Sequence, residues 1–170
     1  MRLLLLPIAA FGLSGCLAVV PIPIGNPTDP IVIGGDAGFV DDTPGEFDDM
    51  TFLALVNVER GNASVQPVVY NDLLTEAAQG HADDMVARNY IDHVNPEGQG
   101  PGERVAETGY AFDTVWENIF WGSTKETAAI QTWMDSEDGH REALLAAEAQ
   151  EIGVGVGDDI YVLVLADPAD

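Results

Sequence analysis

The 170-residue chain has 6 Lys and Arg against 29 Asp and Glu, a formal net charge of −23, which argues against nucleic acid as a partner because phosphate recognition rests on basic surfaces. An anionic lipid surface is disfavoured for the same reason. Hydrophobic residues at 46% and charged residues at 21% are ordinary globular values, so one core-forming domain fits the length, and the single cysteine excludes an intrachain disulfide or a Cys/Cys zinc site.

Met1-Arg2 supplies a positive charge, residues 3–13 form an apolar run, and Leu13-Ser14-Gly15-Cys16 follows at once. The run is shorter than the about 20 apolar residues that span a bilayer, and it has the plan of a secretory signal. Leu-Ser-Gly-Cys resembles the lipobox of bacterial lipoproteins. That resemblance implies cleavage after residue 15, lipidation of Cys16 and a membrane attachment through it. Leu17 in place of Asp favours outer-membrane sorting where the source has two membranes. Residues 16–49 are rich in Pro, Gly and Asp and, beyond the cysteine, hold acidic residues with no Lys or Arg. They read as an acidic, extended tether.

The domain is expected over residues 50–168. Phe52, Leu55 and Val56 recur at helical spacing, with Asp48 or Asp49 as cap and Gly61-Asn62 as stop. Val68-Val69-Tyr70 is a short strand candidate. Asn71 caps a second helix to about Asn89, whose buried face carries Leu73, Leu74, Ala77, His81 and Met85. Pro101 opens a short helix, Ser123 and Glu126 predict a capping box before a helix over 124–137, and a short helix runs from His140 to Ala147. Ile152, Val154 and Val156 alternate with glycine, Gly157-Asp158-Asp159 turns, and residues 160–165 are β-rich, which predicts a hairpin. Helices first and a hairpin last argue an α+β layered domain.

Two of the three histidines stand in polar company. His93 lies in Asp92-His93-Val94-Asn95-Pro96, and His140 lies three residues after Glu137, so the two side chains meet if they share a helical turn. Glu117 sits between aromatic residues and Asn118 in an otherwise apolar segment. Leu55 to Arg60, Ala77 to Met85, His93 with Pro96 and Gly98, Trp116-Glu117-Asn118-Ile119, Trp133-Met134 with Gly139-His140-Arg141, and Glu151 to Gly155 come in an order and spacing that resemble the CAP superfamily of cysteine-rich secretory, antigen 5 and pathogenesis-related proteins (SCP-like extracellular domains), closest to its bacterial, disulfide-free branch. The resemblance covers about residues 51–166. It implies a three-layer α-β-α sandwich with a small antiparallel sheet, and a shallow cleft holding two histidines and two acids. By position these are His93, Glu117, Glu137 and His140. Trp116 stands where the family has glycine, and Asp135-Ser136-Glu137-Asp138 leaves the second acid open by a residue.

Two imidazoles near a carboxylate suit a weakly held divalent metal such as zinc, with His93 and His140 as ligands and Glu117 as a ligand or as a partner orienting a ring. The alternative is a hydrogen-bonded cluster that holds loops together. The expected function is a lipid-anchored CAP-domain protein of the bacterial cell envelope that binds a protein, lipid or small-molecule ligand. The alternative is a metal-dependent hydrolase, peptidase or esterase, with Glu117 as general base. His81 with Asp84 offers a competing metal reading, set against a core histidine on the apolar stripe. Ser136 near His140 lacks the Gly-x-Ser-x-Gly turn of a serine hydrolase.

Overall fold

The structure, a computed structural model, describes residues 47–169; the expected signal sequence, Cys16 and all but the last residues of the tether lie outside the described residues. In chain order the elements are α1 (Asp49–Asn62), β1 (Val69–Tyr70), α2 (Asp72–Arg88), α3 (Pro101–Glu107), β2 (Phe112–Trp121), α4 (Glu126–Met134), α5 (His140–Leu144), β3 (Glu151–Gly157) and β4 (Ile160–Pro168). The four strands form one sheet in the order β1-β3-β4-β2. β1 runs parallel to β3, while β4 is antiparallel to both its neighbours. The mixed α/β architecture is the layered sandwich expected, with a single parallel pair added at one edge.

The helix boundaries follow side-chain chemistry. Asp48 accepts from the Met50 N–H at the start of α1, and Asn71 accepts from Leu73 and Leu74 at the start of α2. Asn89 closes α2 in the left-handed region at φ 54°. The expected helix over 124–137 is shorter, because its capping box does not form. Ser123 Oγ accepts from the Lys125 N–H instead, and the Glu126 carboxylate is taken by the Asp48 N–H. The helix proposed from His140 to Ala147 stops at Leu144.

β4 is the spine of the domain, and its alternation builds two cores. Tyr161, Leu163 and Leu165 face α1, α4 and α5, packing with Phe52, Val56, Ile130 and Trp133. Val162, Val164 and Ala166 face α2 and α3, packing with Leu74, Ala78, Met85 and Val105. β3 divides the same way, with Ile152 and Val154 in the first core and glycines on the α2 side. A Cβ at Gly153 would lie 2.1 Å from Leu74 backbone, and one at Gly155 would lie 2.3 Å from the Gln79 N. The α2 backbone therefore lies directly on the sheet, at a distance that only glycine permits.

One charged residue is built into the first core. Arg60 is fully buried and donates to the carbonyls of Gln66 (2.9 Å), Leu144 (2.8 Å), Ala146 (3.1 Å) and Ala149 (3.0 Å). Three of these lie at the end of α5 and the turns beyond it, where carbonyls have no helical partner. The guanidinium thus caps the segment that carries His140.

Candidate functional site

β2 is an edge strand, so consecutive side chains on it serve opposite layers. Ile119 belongs to the α2–α3 core, whereas Trp116 and Phe120 pack on the other one. Glu117 accordingly faces the α2–α3 layer and Asn118 the α4–α5 layer.

On the first face Glu117 is the hub. One carboxylate oxygen accepts from His93 Nδ1 at 2.8 Å, and the other from Arg104 Nη2 at 2.6 Å. The Glu117 side chain is 1% exposed and the His93 ring 48% exposed, so a buried charge steers a ring that faces solvent. Arg104 also donates from Nη1 to the carbonyls of His93 (2.9 Å) and Gln99 (2.8 Å). It fixes the loop backbone that presents the ring as well as the acid that orients it. The Glu117 hydrogen bond raises the His93 pKa above its ordinary value, against an opposing contribution from burial. Because a carboxylate only accepts, His93 Nδ1 carries the hydrogen, and Nε2 is the acceptor in the neutral ring.

On the second face, the buried Asn118 donates to the His140 carbonyl at 2.9 Å. His140 Nδ1 lies 2.9 Å from Ser136 Oγ, which itself accepts from the Asp138 N–H at 3.1 Å. Ser136 thus holds the His140 ring at its Nδ1 edge. Both histidines are tied to consecutive residues of one strand, His93 through its ring to Glu117 and His140 through its carbonyl to Asn118. Glu137 is exposed and has no hydrogen bond among the described residues. α4 ends at Met134, and Gly139 enters α5 at φ 95°, so Glu137 and His140 do not share the helical turn on which their pairing depended. Asp135, a neighbouring alternative, accepts from Gln131 at 2.9 Å.

The donor set does not fit a catalytic zinc centre. Such a centre takes three protein ligands, and among the described residues no group of three or more His, Cys, Asp and Glu could hold a metal ion. Both Glu117 oxygens are engaged, which makes it an orienting residue. His93 and His140 thus lack a third donor, and a hydrolytic step through a metal gains no support from the geometry. The His81–Asp84 alternative fails for a related reason: His81 Nε2 lies 2.8 Å from the Asp92 carbonyl, and Asp84 is held by Arg88 and Tyr90.

His81 is instead a core residue that supports the site, since Asp92 precedes His93. It is buried, and its Nδ1 has no partner in the described structure. Burial lowers its pKa below the ordinary 6.5, so the fold favours the neutral ring. Its contribution to stability is present above about 6.5 and lost as pH falls below that value. His93, with its raised pKa, has the opposite sign. We expect His81→Gln, which keeps a donor near Nε2, to lose less stability than the native chain between pH 7 and pH 5. Urea unfolding at the two pH values measures this.

Neither Arg104 nor the orienting role of Ser136 is anticipated by the motifs of the sequence. The single arginine of the seven-residue α3, set between Glu103 and Val105, was the available signal for the first. For the second it was the Ser-x-Asp pattern that closes a side-chain turn.

A family model for the cysteine-rich secretory protein (CAP) family matches residues 53–161. Two Bacillus subtilis proteins are similar in sequence: YkwD, 33% identical over 103 residues, covering 61% of this chain and 40% of that protein, and the membrane protein YlbC, 34% identical over 109 residues, covering 64% and 31%. The chain therefore spans less than half the length of either relative. Among solved structures, an extracellular SCP-domain protein from Bacillus anthracis superposes with a TM-score of 0.66 at 30% identity, covering 69% of this chain and 39% of that one. An outer surface protein of Borrelia burgdorferi, at 0.64 and 19% identity, covers 71% and 92% and shares the fold.

Proposed function

The chain belongs to the cysteine-rich secretory protein (CAP) family, and from that premise we propose that it is a lipid-anchored binding module of a bacterial cell envelope. In this reading Cys16 holds it to the membrane, residues 16–49 are the tether, and residues 50–168 present the site to a protein, lipid or small-molecule ligand. The extracellular SCP-domain relative supports an extracytoplasmic location. So does the lipobox-like Leu13-Ser14-Gly15-Cys16. No helix among the described residues is long and apolar enough to cross a membrane.

The observation that carries the binding reading is the exposed His93 ring held by a buried carboxylate. A polar group fixed in this way is preorganised for a partner, because its orientation is set before binding.

Two experiments test the reading. Metabolic labelling with palmitate should mark the native chain and not Cys16→Ser, and equal labelling of both would refute the anchor. The full chain should bind isolated envelope preparations saturably, with a loss of tenfold or more in His93→Ala. Unchanged binding in that variant would remove the site from the function.

A further inference from the structure

A second surface feature lies beyond the histidine site. The end of α2, the end of β2 and the β3–β4 turn enclose a groove of about 370 Å³. Its apolar wall includes Val86 and Ile91, both partly exposed, and Trp121, which is 60% exposed although it is a tryptophan. Together the three side chains give the groove an exposed apolar wall, the kind of surface that marks an interaction site. Asp158 and Asp159 close the far side, and no Lys, Arg or His lines the groove.

The placement is fixed by the sheet. Trp121 pairs with Ile160, and the next residue, Gly122, donates from its N–H to the Asp159 carbonyl at 3.1 Å. The indole and the acidic turn are thus held side by side. Asp158 sits at φ 50°, a turn conformation that aspartate tolerates, so its backbone alone does not call for a ligand. What does is the company: an exposed aromatic face and two carboxylates with no salt bridge among the described residues.

We propose that this groove takes a basic side chain, arginine or lysine, of an extended partner peptide with apolar flanking residues. The cation lies over the Trp121 ring, within the about 6 Å at which such pairs attract. Asp158 and Asp159 meet its charge, and the apolar flanks cover Val86 and Ile91. Charge selects this occupant. Residues 51–170 hold 22 acidic residues and five basic ones, a field that concentrates cations. Of those five, Arg60 and Arg104 are buried, and Arg88 is paired with Asp84 and Glu97. A second copy of the chain would bring like charge to like charge.

The test uses the full chain and a synthetic peptide, acetyl-Gly-Leu-Arg-Leu-Gly-amide, titrated calorimetrically at 150 mM NaCl, with glutamine replacing arginine in the control. Saturable binding is expected for the arginine peptide, weakened at least tenfold by Trp121→Ala and by Asp158→Asn/Asp159→Asn, and absent for the control peptide. His93→Ala should leave it unchanged, which separates this groove from the histidine site. Equal weakening by the remote pair Glu142→Gln/Glu148→Gln would overturn the proposal in favour of the general field. No binding, equal binding of the glutamine peptide, preference for a neutral tetrasaccharide, or concentration-dependent dimerisation through Trp121 would each overturn it as well.

Discussion

Replacing Arg60 by alanine is expected to destabilise the domain by about 4 kcal/mol, because it strips the partner from buried carbonyls whose unsatisfied cost is about 1–3 kcal/mol each, partly offset by relaxation. The native side chain reaches Gln66, Leu144, Ala146 and Ala149 from inside the first core. Desolvation lowers its pKa, but an arginine stays charged at any ordinary pH, so the carbonyls are what compensate the buried cation. Arg60→Lys should recover less than half the loss, since an ammonium is a compact charge that cannot span four acceptors. The variant should also loosen α5, and with it His140. Guanidinium chloride unfolding measures the first effect and amide exchange of residues 140–149 the second. A loss below about 1 kcal/mol would mean that water replaces the guanidinium at little cost.

The second large effect concerns the glycine face of β3. Gly155→Ala is expected to cost about 3 kcal/mol, at the upper end of overpacking penalties, since the new Cβ would lie 2.3 Å from Gln79 N and 2.4 Å from Ala78 C. Both contacts are helix backbone, so no side chain can turn aside, and α2 must lift from the sheet. Gly80→Ala supplies the contrast within the same helix. Its added Cβ meets nothing within 4 Å, and the change should stabilise by about 1 kcal/mol through helix propensity and unfolded-state entropy. Thermal unfolding should move the two variants in opposite directions. Equal shifts would show that α2 stands farther from the sheet.

These two residues also mark what can be read from sequence. α2 was legible because its ends are local: Asn71 and Asn89 announce caps without help from the fold. The β3–β4 hairpin was legible because Ile152, Val154 and Val156 alternate with glycine, although the alternation alone reads as a polar-side pattern, whereas those glycines seat a helix. β2 carries no such signal. Its two faces are covered by different helix layers, so Val115 to Trp121 show no period, and the edge strand that organises the site emerges only from pairing with β4.

The candidate site divides along the same line. Histidines and Glu117 were recognisable by type and by their resemblance to a family pattern. Arg104 was not, because its bond to Glu117 crosses 13 positions and depends on how α3 packs against β2. The Glu137–His140 pairing required a continuous helical turn through Gly139, whereas the place of Glu137 in the cleft rested on the family resemblance. With φ at 95° there, the geometry breaks and the contact passes to Ser136. Local rules place caps and turns well, and they fail where a long-range contact chooses among neighbouring polar residues.

The central claim is that buried Glu117 orients His93 and leaves its Nε2 edge for a ligand. Long-range ¹H–¹⁵N correlation spectra of the histidine rings, recorded across pH for the native chain and Glu117→Gln, test it most directly. The account predicts the Nδ1–H form for neutral His93 and a pKa above 6.5 that falls toward that ordinary value in the variant. A His93 ring in the Nε2–H form, or one that titrates identically with and without the Glu117 carboxylate, would contradict it.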